Sequence, residues 1–213
     1  MREHRERIDR LRDRGPWPEA RLEARDADEL GAAGAALPSA VTHDTIVAYA
    51  VLGVAGQVVV VLLVLAALVA RARLRSLLWG YELWAAFVVA ALATGGSLFF
   101  SEIAGFVPCD LCWFQRVCMY PLSLLTLIAA VHGDHRVARY LLPIPVVGAC
   151  VSIYHLLIEN SVLSEPSSCR IGGTGCAVKW IDQFGYMTIP TLALTGFLLL
   201  IGFLSLAARE ADA

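Results

Sequence analysis

The stretch GFVPCDLCWFQRVCMYPL, residues 105–122, joins a pair of cysteines to the start of a long apolar segment. Cys109 and Cys112 are three residues apart, and Arg116 follows four residues after Cys112. Residues i and i+4 share one face of a helix, so a cation and a thiol would lie side by side here. A charge about one turn into a membrane span is costly and by default indicates a functional site.

The rest of the chain has the composition of a membrane protein that crosses the bilayer several times. Of its 213 residues, 58% are hydrophobic, well above the usual share in soluble domains. The net charge of −2 gives no basic field for nucleic acid, so we expect no nucleic-acid partner. Segments long enough to span a bilayer lie at residues 45–70, 83–106, 113–131, 137–158 and 189–208. We therefore predict an all-α protein with five transmembrane helices.

The basic residues of the short loops predict how these helices are oriented. If the chain crosses five times, six arginines fall on one side of the membrane: Arg71, Arg73, Arg75, Arg136, Arg139 and Arg209. Loops rich in arginine and lysine stay in the cytoplasm. We therefore predict an extracytoplasmic N-terminus, a cytoplasmic C-terminus and extracytoplasmic cysteine pairs.

The N-terminal part of the chain has a different composition. Residues 1–40 contain eight arginines and nine acidic residues, so we predict a disordered extracytoplasmic tail and linker over residues 1–44. Residues 45–75 then form a transmembrane helix with a basic cytoplasmic loop.

A second cysteine pair, Cys169 and Cys176, lies in the loop between the last two spans and is separated by RIGGTG. A polar, glycine-rich loop of this kind tolerates an exposed, exchangeable disulfide. The apolar and aromatic residues of 178–187 predict a short interfacial helix that holds Cys176 near Cys109. Cys118 and Cys150 fall inside spans and are interpreted as small buried hydrophobic residues.

The four loop cysteines allow three interpretations: structural disulfides, a four-cysteine metal site, or redox centres that exchange thiols and disulfides. C-x6-C with intervening glycines is a poor zinc knuckle. A helix N-terminus and a nearby cation such as Arg116 both favour a thiolate, which favours the redox interpretation without excluding the others. A quinone ring could stack near Cys112 and accept hydrogen bonds from Arg116. His155, at the outer end of the fourth span, could reach the same quinone.

The segments PCDLCWFQR, residues 108–116, and GCAVKWIDQFGYMTIP, residues 175–190, resemble a known family. They are similar to the DsbB-type membrane oxidoreductases that generate disulfides, and within them to the BdbC-like branch with its C-x-L-C-W-Y/F-Q-R stretch. The resemblance covers about residues 80–208. It implies a DsbB-like four-helix transmembrane bundle over residues 76–213, in a bacterial cytoplasmic membrane, with one additional N-terminal helix.

The resemblance also implies a role for each site residue. Cys109 and Cys112 would be the quinone-linked pair, and Arg116 and His155 would lie against a ubiquinone or menaquinone within the membrane lipid. Cys169 would form the mixed disulfide with an extracytoplasmic thioredoxin-like (DsbA-like) partner, and Cys176 would relay to Cys109. The vitamin K epoxide reductase family performs related chemistry, but its loop cysteines precede its C-x-x-C, and here the order is reversed.

Overall fold

The computed structural model describes residues 39–70, 73, 78–166, 169 and 175–210, and this part of the chain is almost entirely helical. The main helices are α1 (Ser39–Val69), α2 (Glu82–Leu98), α3 (Asp110–His132), α4 (Pro143–Glu159) and α5 (Ile189–Glu210). Together with their short helical extensions, these give five segments long and apolar enough to cross a membrane, which confirms the predicted all-α architecture. Of the predicted tail, residues 1–38 lie outside the described residues, and α1 already begins at Ser39.

Helices α2 to α5 pack as a four-helix bundle, in which α2 contacts α3 and α5, and α4 contacts the same two helices from the other side. The buried core includes Leu83, Leu122 and Phe197. Gly148 lets α4 approach α5 closely, because a Cβ added there would lie 2.4 Å from the ring of Phe197. Helix α1 packs mainly against α5.

The boundaries of α3 follow from its end residues. Cys109 is the N-cap, with extended backbone, and its sulfur accepts a hydrogen bond from the N–H of Cys112. Asp110 places an acidic group in the first turn, which suits the helix dipole. Gly133 ends the helix with a left-handed φ of 63°. The C-x-x-C pair therefore occupies the very start of a membrane helix, as the sequence indicated.

Helix α2 leads to the same end of the bundle through an irregular segment. Phe99–Ile103 forms a π-helical turn, and Gly105 adopts a left-handed φ of 72°. The chain then runs through Pro108 to Cys109, so the second membrane segment ends at Ile103, three residues before the predicted position.

The predicted interfacial helix over residues 178–187 is wrong. This segment forms turns, and Gln183 and Met187 pair in an isolated antiparallel bridge. Phe184 and Gly185 have left-handed φ values of 58° and 76°, which a right-handed helix cannot contain. The apolar pattern reflects burial instead, since Ile181 and Met187 are buried in the packed loop.

Candidate redox site

The two cysteine pairs lie together at one end of the bundle. Cys169 and Cys176 form a disulfide, and they pack with Cys109, Leu111 and Ile158 in one small buried cluster. Cys109 and Cys112 are free thiols with their sulfur atoms 3.0 Å apart. The site thus combines a loop disulfide with a helix-bound dithiol.

The loop disulfide is more enclosed than its polar sequence predicted. Cys169 is 2% exposed and Cys176 is 1% exposed, so the expectation of an exposed disulfide is wrong. The disulfide is covered because it packs on the end of α4 and on Cys109. A carboxylate oxygen of Glu165 accepts hydrogen bonds from the backbone N–H groups of Cys176 and Ala177. Glu165 therefore fixes the backbone at the second cysteine.

His155 lies between the two cysteine pairs. Its Nε2 is 3.0 Å from the backbone oxygen of Cys176 and 3.7 Å from the sulfur of Cys109. A carbonyl oxygen only accepts, so Nε2 carries the proton and donates to Cys176. The Nδ1 atom is 3.5 Å from the amide nitrogen of Gln115, which donates to it. The imidazole thereby links Cys109 on α3 to Cys176 in the loop.

The surroundings of Cys109 favour its thiolate. The hydrogen bond from Cys112 has the largest effect and lowers the pKa of the Cys109 thiol; burial raises it, and the hydrogen bond with His155 lowers it again. The net result is that the pKa falls from 9.0 to about 4. A thiolate is the nucleophile in disulfide exchange, so Cys109 is prepared for that chemistry.

A mostly apolar cavity of about 220 Å³ lies on the other side of Cys112. Its walls come from α1, α2, α3 and α5, and its polar groups include Cys112, Gln115 and Arg116. A cavity of ~150 Å³ binds benzene in a protein core, so this space is large enough for a substituted aromatic ring. An apolar site with a few convergent polar groups is the usual form of a small-molecule pocket.

Arg116 is buried at the edge of this cavity, where the sequence placed a functional cation. Its Nη2 donates a hydrogen bond to the backbone oxygen of Ser97 at 3.1 Å. Its guanidinium carbon lies 5.2 Å from the centre of the Trp113 ring, a cation–π distance. Because guanidinium has five N–H donors, a fixed Arg116 keeps donors for a carbonyl oxygen in the cavity. These residues fit the quinone that the sequence predicted.

The structure brings most of the predicted site residues together, with one difference in arrangement. Cys112 and Arg116 line the cavity, whereas Cys109 and His155 line a smaller space beside the loop. His155 was predicted beside the quinone, but its direct contacts are with Cys109, Cys176 and Gln115. Gln115 lines the cavity and also contacts His155, so it joins the two halves of the site.

Sequence reasoning assigned no role to Gln115 or Glu165. Gln115 lies three residues after Cys112, on nearly the same helix face, and this spacing was the available signal. For Glu165 the sequence carries no comparable signal, since its contact with Cys176 spans 11 residues of loop.

The two cysteines that were predicted to lie inside membrane spans differ in their exposure. Cys118 is half-buried, whereas Cys150 is exposed on the outer face of α4, so the prediction that both are buried is wrong for Cys150. An outward position within a span faces lipid, where a small apolar side chain also suits its surroundings.

The arrangement argues against the four-cysteine metal alternative. The sulfur atoms of the four loop cysteines fall into two groups of potential ligands, Cys109 and Cys112 with His155, and Cys169 and Cys176 with Glu165. Cys169 and Cys176 are bonded to each other, and a disulfide offers no thiolate to a metal.

The fold and site together define a membrane protein with a dithiol and a disulfide in contact at one end of a helical bundle. Comparison with known proteins identifies the family. Residues 81–207 match the family model described as "Disulfide bond formation protein DsbB". The chain therefore belongs to the DsbB family, and it is a disulfide-forming oxidoreductase of the membrane.

Several curated relatives are similar over more than half of the chain. Disulfide bond formation protein C of Bacillus subtilis (strain 168) is 48% identical over 128 residues, which are 60% of this chain and 93% of the relative. Probable disulfide formation protein C 1 of Bacillus anthracis is 46% identical over 118 residues, 55% of this chain and 85% of the relative. A probable disulfide formation protein of Metapseudomonas resinovorans is 36% identical over 124 residues, 58% of this chain and 86% of the relative. No solved structure matches the chain.

Proposed function

We propose that this protein is a thiol:quinone oxidoreductase that generates disulfides. It takes two electrons from an extracytoplasmic thioredoxin-like dithiol partner and passes them to a membrane quinone, either ubiquinone or menaquinone. One observation carries the proposal: the Cys109–Cys112 pair lies between the loop disulfide on one side and the apolar cavity with Arg116 on the other.

We assign the site to the extracytoplasmic face of a bacterial cytoplasmic membrane. Arg136 and Arg139 lie in the connection between α3 and α4, at the opposite end of the bundle from Cys109. Basic loops stay in the cytoplasm, so the N-terminus of α1 and both cysteine pairs are outside. Disulfides persist in that oxidising compartment.

The reaction begins at the loop. A partner thiolate attacks the sulfur of Cys169, a bond forms between the two, and Cys176 leaves as a thiolate. Cys176 then attacks Cys109 of the oxidised Cys109–Cys112 pair. The Cys109–Cys112 bond breaks, and Cys112 leaves with its electron pair. His155 holds the backbone of Cys176 next to Cys109 during this exchange.

The remaining exchanges release the partner. Its second thiol displaces Cys169, so the partner leaves as a disulfide. The freed Cys169 thiolate attacks Cys176, which re-forms the loop disulfide and leaves both electrons on the Cys109–Cys112 dithiol. The structure has this distribution, with a loop disulfide and a helix dithiol.

The last step returns the helix pair to its disulfide. A quinone held in the cavity beside Cys112 and Arg116 would supply the oxidant for this step, since a quinone accepts two electrons and two protons. Arg116 would orient the acceptor by donating hydrogen bonds into the cavity. Apolar side chains form most of the cavity wall beside Cys112. A reductase would use the same residues in reverse, and membership of a disulfide-forming family favours the oxidase direction.

The test is an absorbance titration of purified protein with a reduced thioredoxin-like donor and added ubiquinone or menaquinone. We expect one quinone reduced for each donor dithiol oxidised. Cys112→Ser should abolish quinone loss, whereas Cys118→Ser, a matched change at a cysteine outside the site, should not. Full quinone reduction by Cys112→Ser would contradict the proposal.

A further inference from the structure

Helix α1 lies outside the part of the chain that matches the family, which begins at residue 81. Nevertheless, four of its residues line the cavity beside Cys112 and Arg116: Tyr49, Leu52, Gly53 and Gly56. Most of α1 is exposed outside the bundle, but these four residues lie on the side of the helix that faces the cavity.

Two glycines allow α1 to approach α5 closely. A Cβ added at Gly53 would lie 2.4 Å from a side-chain carbon of Leu192, and one added at Gly56 would lie 3.0 Å from Thr195. Small residues in membrane helices permit this kind of close contact between backbones. The approach brings the cavity-lining face of α1 against the space beside α3.

Tyr49 is held in place at the outer end of this wall. Its hydroxyl donates to the backbone oxygen of Leu92 at 3.3 Å, and its ring lies edge-on to Phe100 at 5.4 Å. A Cβ added at Gly96 would lie 2.4 Å from the Tyr49 ring, so α2 is shaped to receive this side chain. Phe100 continues the aromatic contacts by stacking on Phe106.

This aromatic series reaches the cysteine site. Phe106 stacks on Trp180 with ring centres 5.1 Å apart, and Trp180 lines the small space that contains Cys109 and Cys112. A second link joins α1 to the same loop, since the hydroxyl of Tyr186 donates to Gln57 at 3.2 Å. Helix α1 is therefore connected both to the cavity wall and to the loop that covers the cysteines.

From these contacts, we propose that α1 completes the quinone site and that Tyr49 and Leu52 determine which quinone rings the cavity accepts. The inference rests on the proposed function. It adds to the quinone site a wall of α1 residues that selects among quinones and that the family core does not supply. Tyr49 sets the outer limit of the cavity, and Leu52, which is 50% exposed, lies where the cavity wall meets the lipid.

The experiment compares two neighbouring positions in the full-length protein. Leu52→Trp enlarges a cavity-lining side chain, and Val51→Trp makes the same addition at a residue that is 53% exposed but does not line the cavity. Each protein is assayed with a one-ring benzoquinone and a two-ring naphthoquinone. Exchange between the donor and the loop disulfide, measured without quinone, shows that each variant is folded.

We expect Leu52→Trp to raise the KM for naphthoquinone by about tenfold and that for benzoquinone by less, since overpacking of this size is costly. Val51→Trp should leave both KM values within about twofold, the usual effect of a surface change. Equal effects of the two variants on both quinones would overturn the proposal.

Photolabelling supplies a readout that does not depend on turnover. An azido-quinone should label α1 near Tyr49 and Leu52, and unlabelled quinone should compete. Label confined to α2, α3 and α5 in a protein that reduces quinone would overturn this inference and leave the proposed function standing. Failure of the unsubstituted protein to reduce either quinone would instead overturn the proposed function and, with it, the inference.

Discussion

Replacing His155 with phenylalanine should raise the pKa of the Cys109 thiol. The imidazole Nε2 lies 3.7 Å from the Cys109 sulfur, and phenylalanine removes this contact. A hydrogen bond to a charged group contributes about 1.5–3 kcal/mol. Since 1.36 kcal/mol corresponds to one pKa unit, the pKa should rise by about 1 to 2.

The direction of the pH dependence follows from the lowered pKa. The pKa of Cys109 is about 4 in the folded protein, so the thiolate persists at neutral pH and is lost only as the pH falls through that value. Stability from the ionised thiol is therefore present above the unfolded-state pKa and is lost towards acid. In His155→Phe the same loss should begin at a higher pH. The hydrogen bond from Cys112 remains, so the pKa should still lie below its ordinary value.

The measurement is the ultraviolet absorbance of the thiolate against pH, in protein carrying Cys118→Ala and Cys150→Ala and with only the loop disulfide oxidised. Ile153→Phe is the matched control, because it introduces the same residue on the same helix at a position that is exposed. A Cys109 thiol that titrates near its ordinary pKa in the parent protein would refute the reasoning. Identical titrations for the parent and His155→Phe would refute the assigned role of His155.

Three further predictions concern other parts of the site and the bundle. Arg116→Ala should raise the KM for quinone by about 10- to 100-fold, because it removes a hydrogen bond from a charged group. Arg139→Ala, at the opposite end of the bundle, should leave this KM unchanged, and equal effects of the two variants would argue against a contact between Arg116 and the quinone. Cys176→Ser should stop quinone reduction driven by the protein partner but not by a small dithiol that reaches the helix pair directly. Continued oxidation of the partner by this variant would exclude Cys176 as the relay. Gly148→Ala should lower the Tm by destabilising the fold by about 1–3 kcal/mol, because the new Cβ meets the Phe197 ring, and an unchanged Tm would show that the ring moves freely.

The fold was predictable because membrane spans depend mainly on length and apolarity. Within the part of the chain that the structure describes, five such segments are confirmed, with ends that differ from the prediction by a few residues. The loop after α4 was not predictable in the same way, because its apolar spacing suits either an interfacial helix or a packed turn. The left-handed backbone at Phe184 and Gly185 shows that the segment is a turn. A non-glycine residue such as Phe184 gives no sequence signal for that conformation.

The site was predictable where it is local and not where it depends on tertiary contacts. Cys112 and Arg116 are one helical turn apart, so their spacing alone placed them together. The contact of His155 with Cys176 depends on how the loop folds back over α4. Likewise, Tyr49 reaches the cavity only because α1 packs on the bundle, and no short motif records that approach.

The first two turns of α3 explain how one helix can serve both proposed reactions, the exchange with the loop disulfide and the reduction of the quinone. Cys109, as the N-cap, contacts His155 and the loop cysteines, while Cys112 and Arg116 line the cavity. The Cys109 and Cys112 sulfur atoms are 3.0 Å apart, so the single bond that the proposed electron transfer requires can form or break without movement of the helix. In the proposed reaction, a partner has to displace loop residues before it can attack, because the loop disulfide is almost fully buried. In the proposed reaction, the loop therefore has to move, whereas α3 stays rigid and carries the electrons to the membrane.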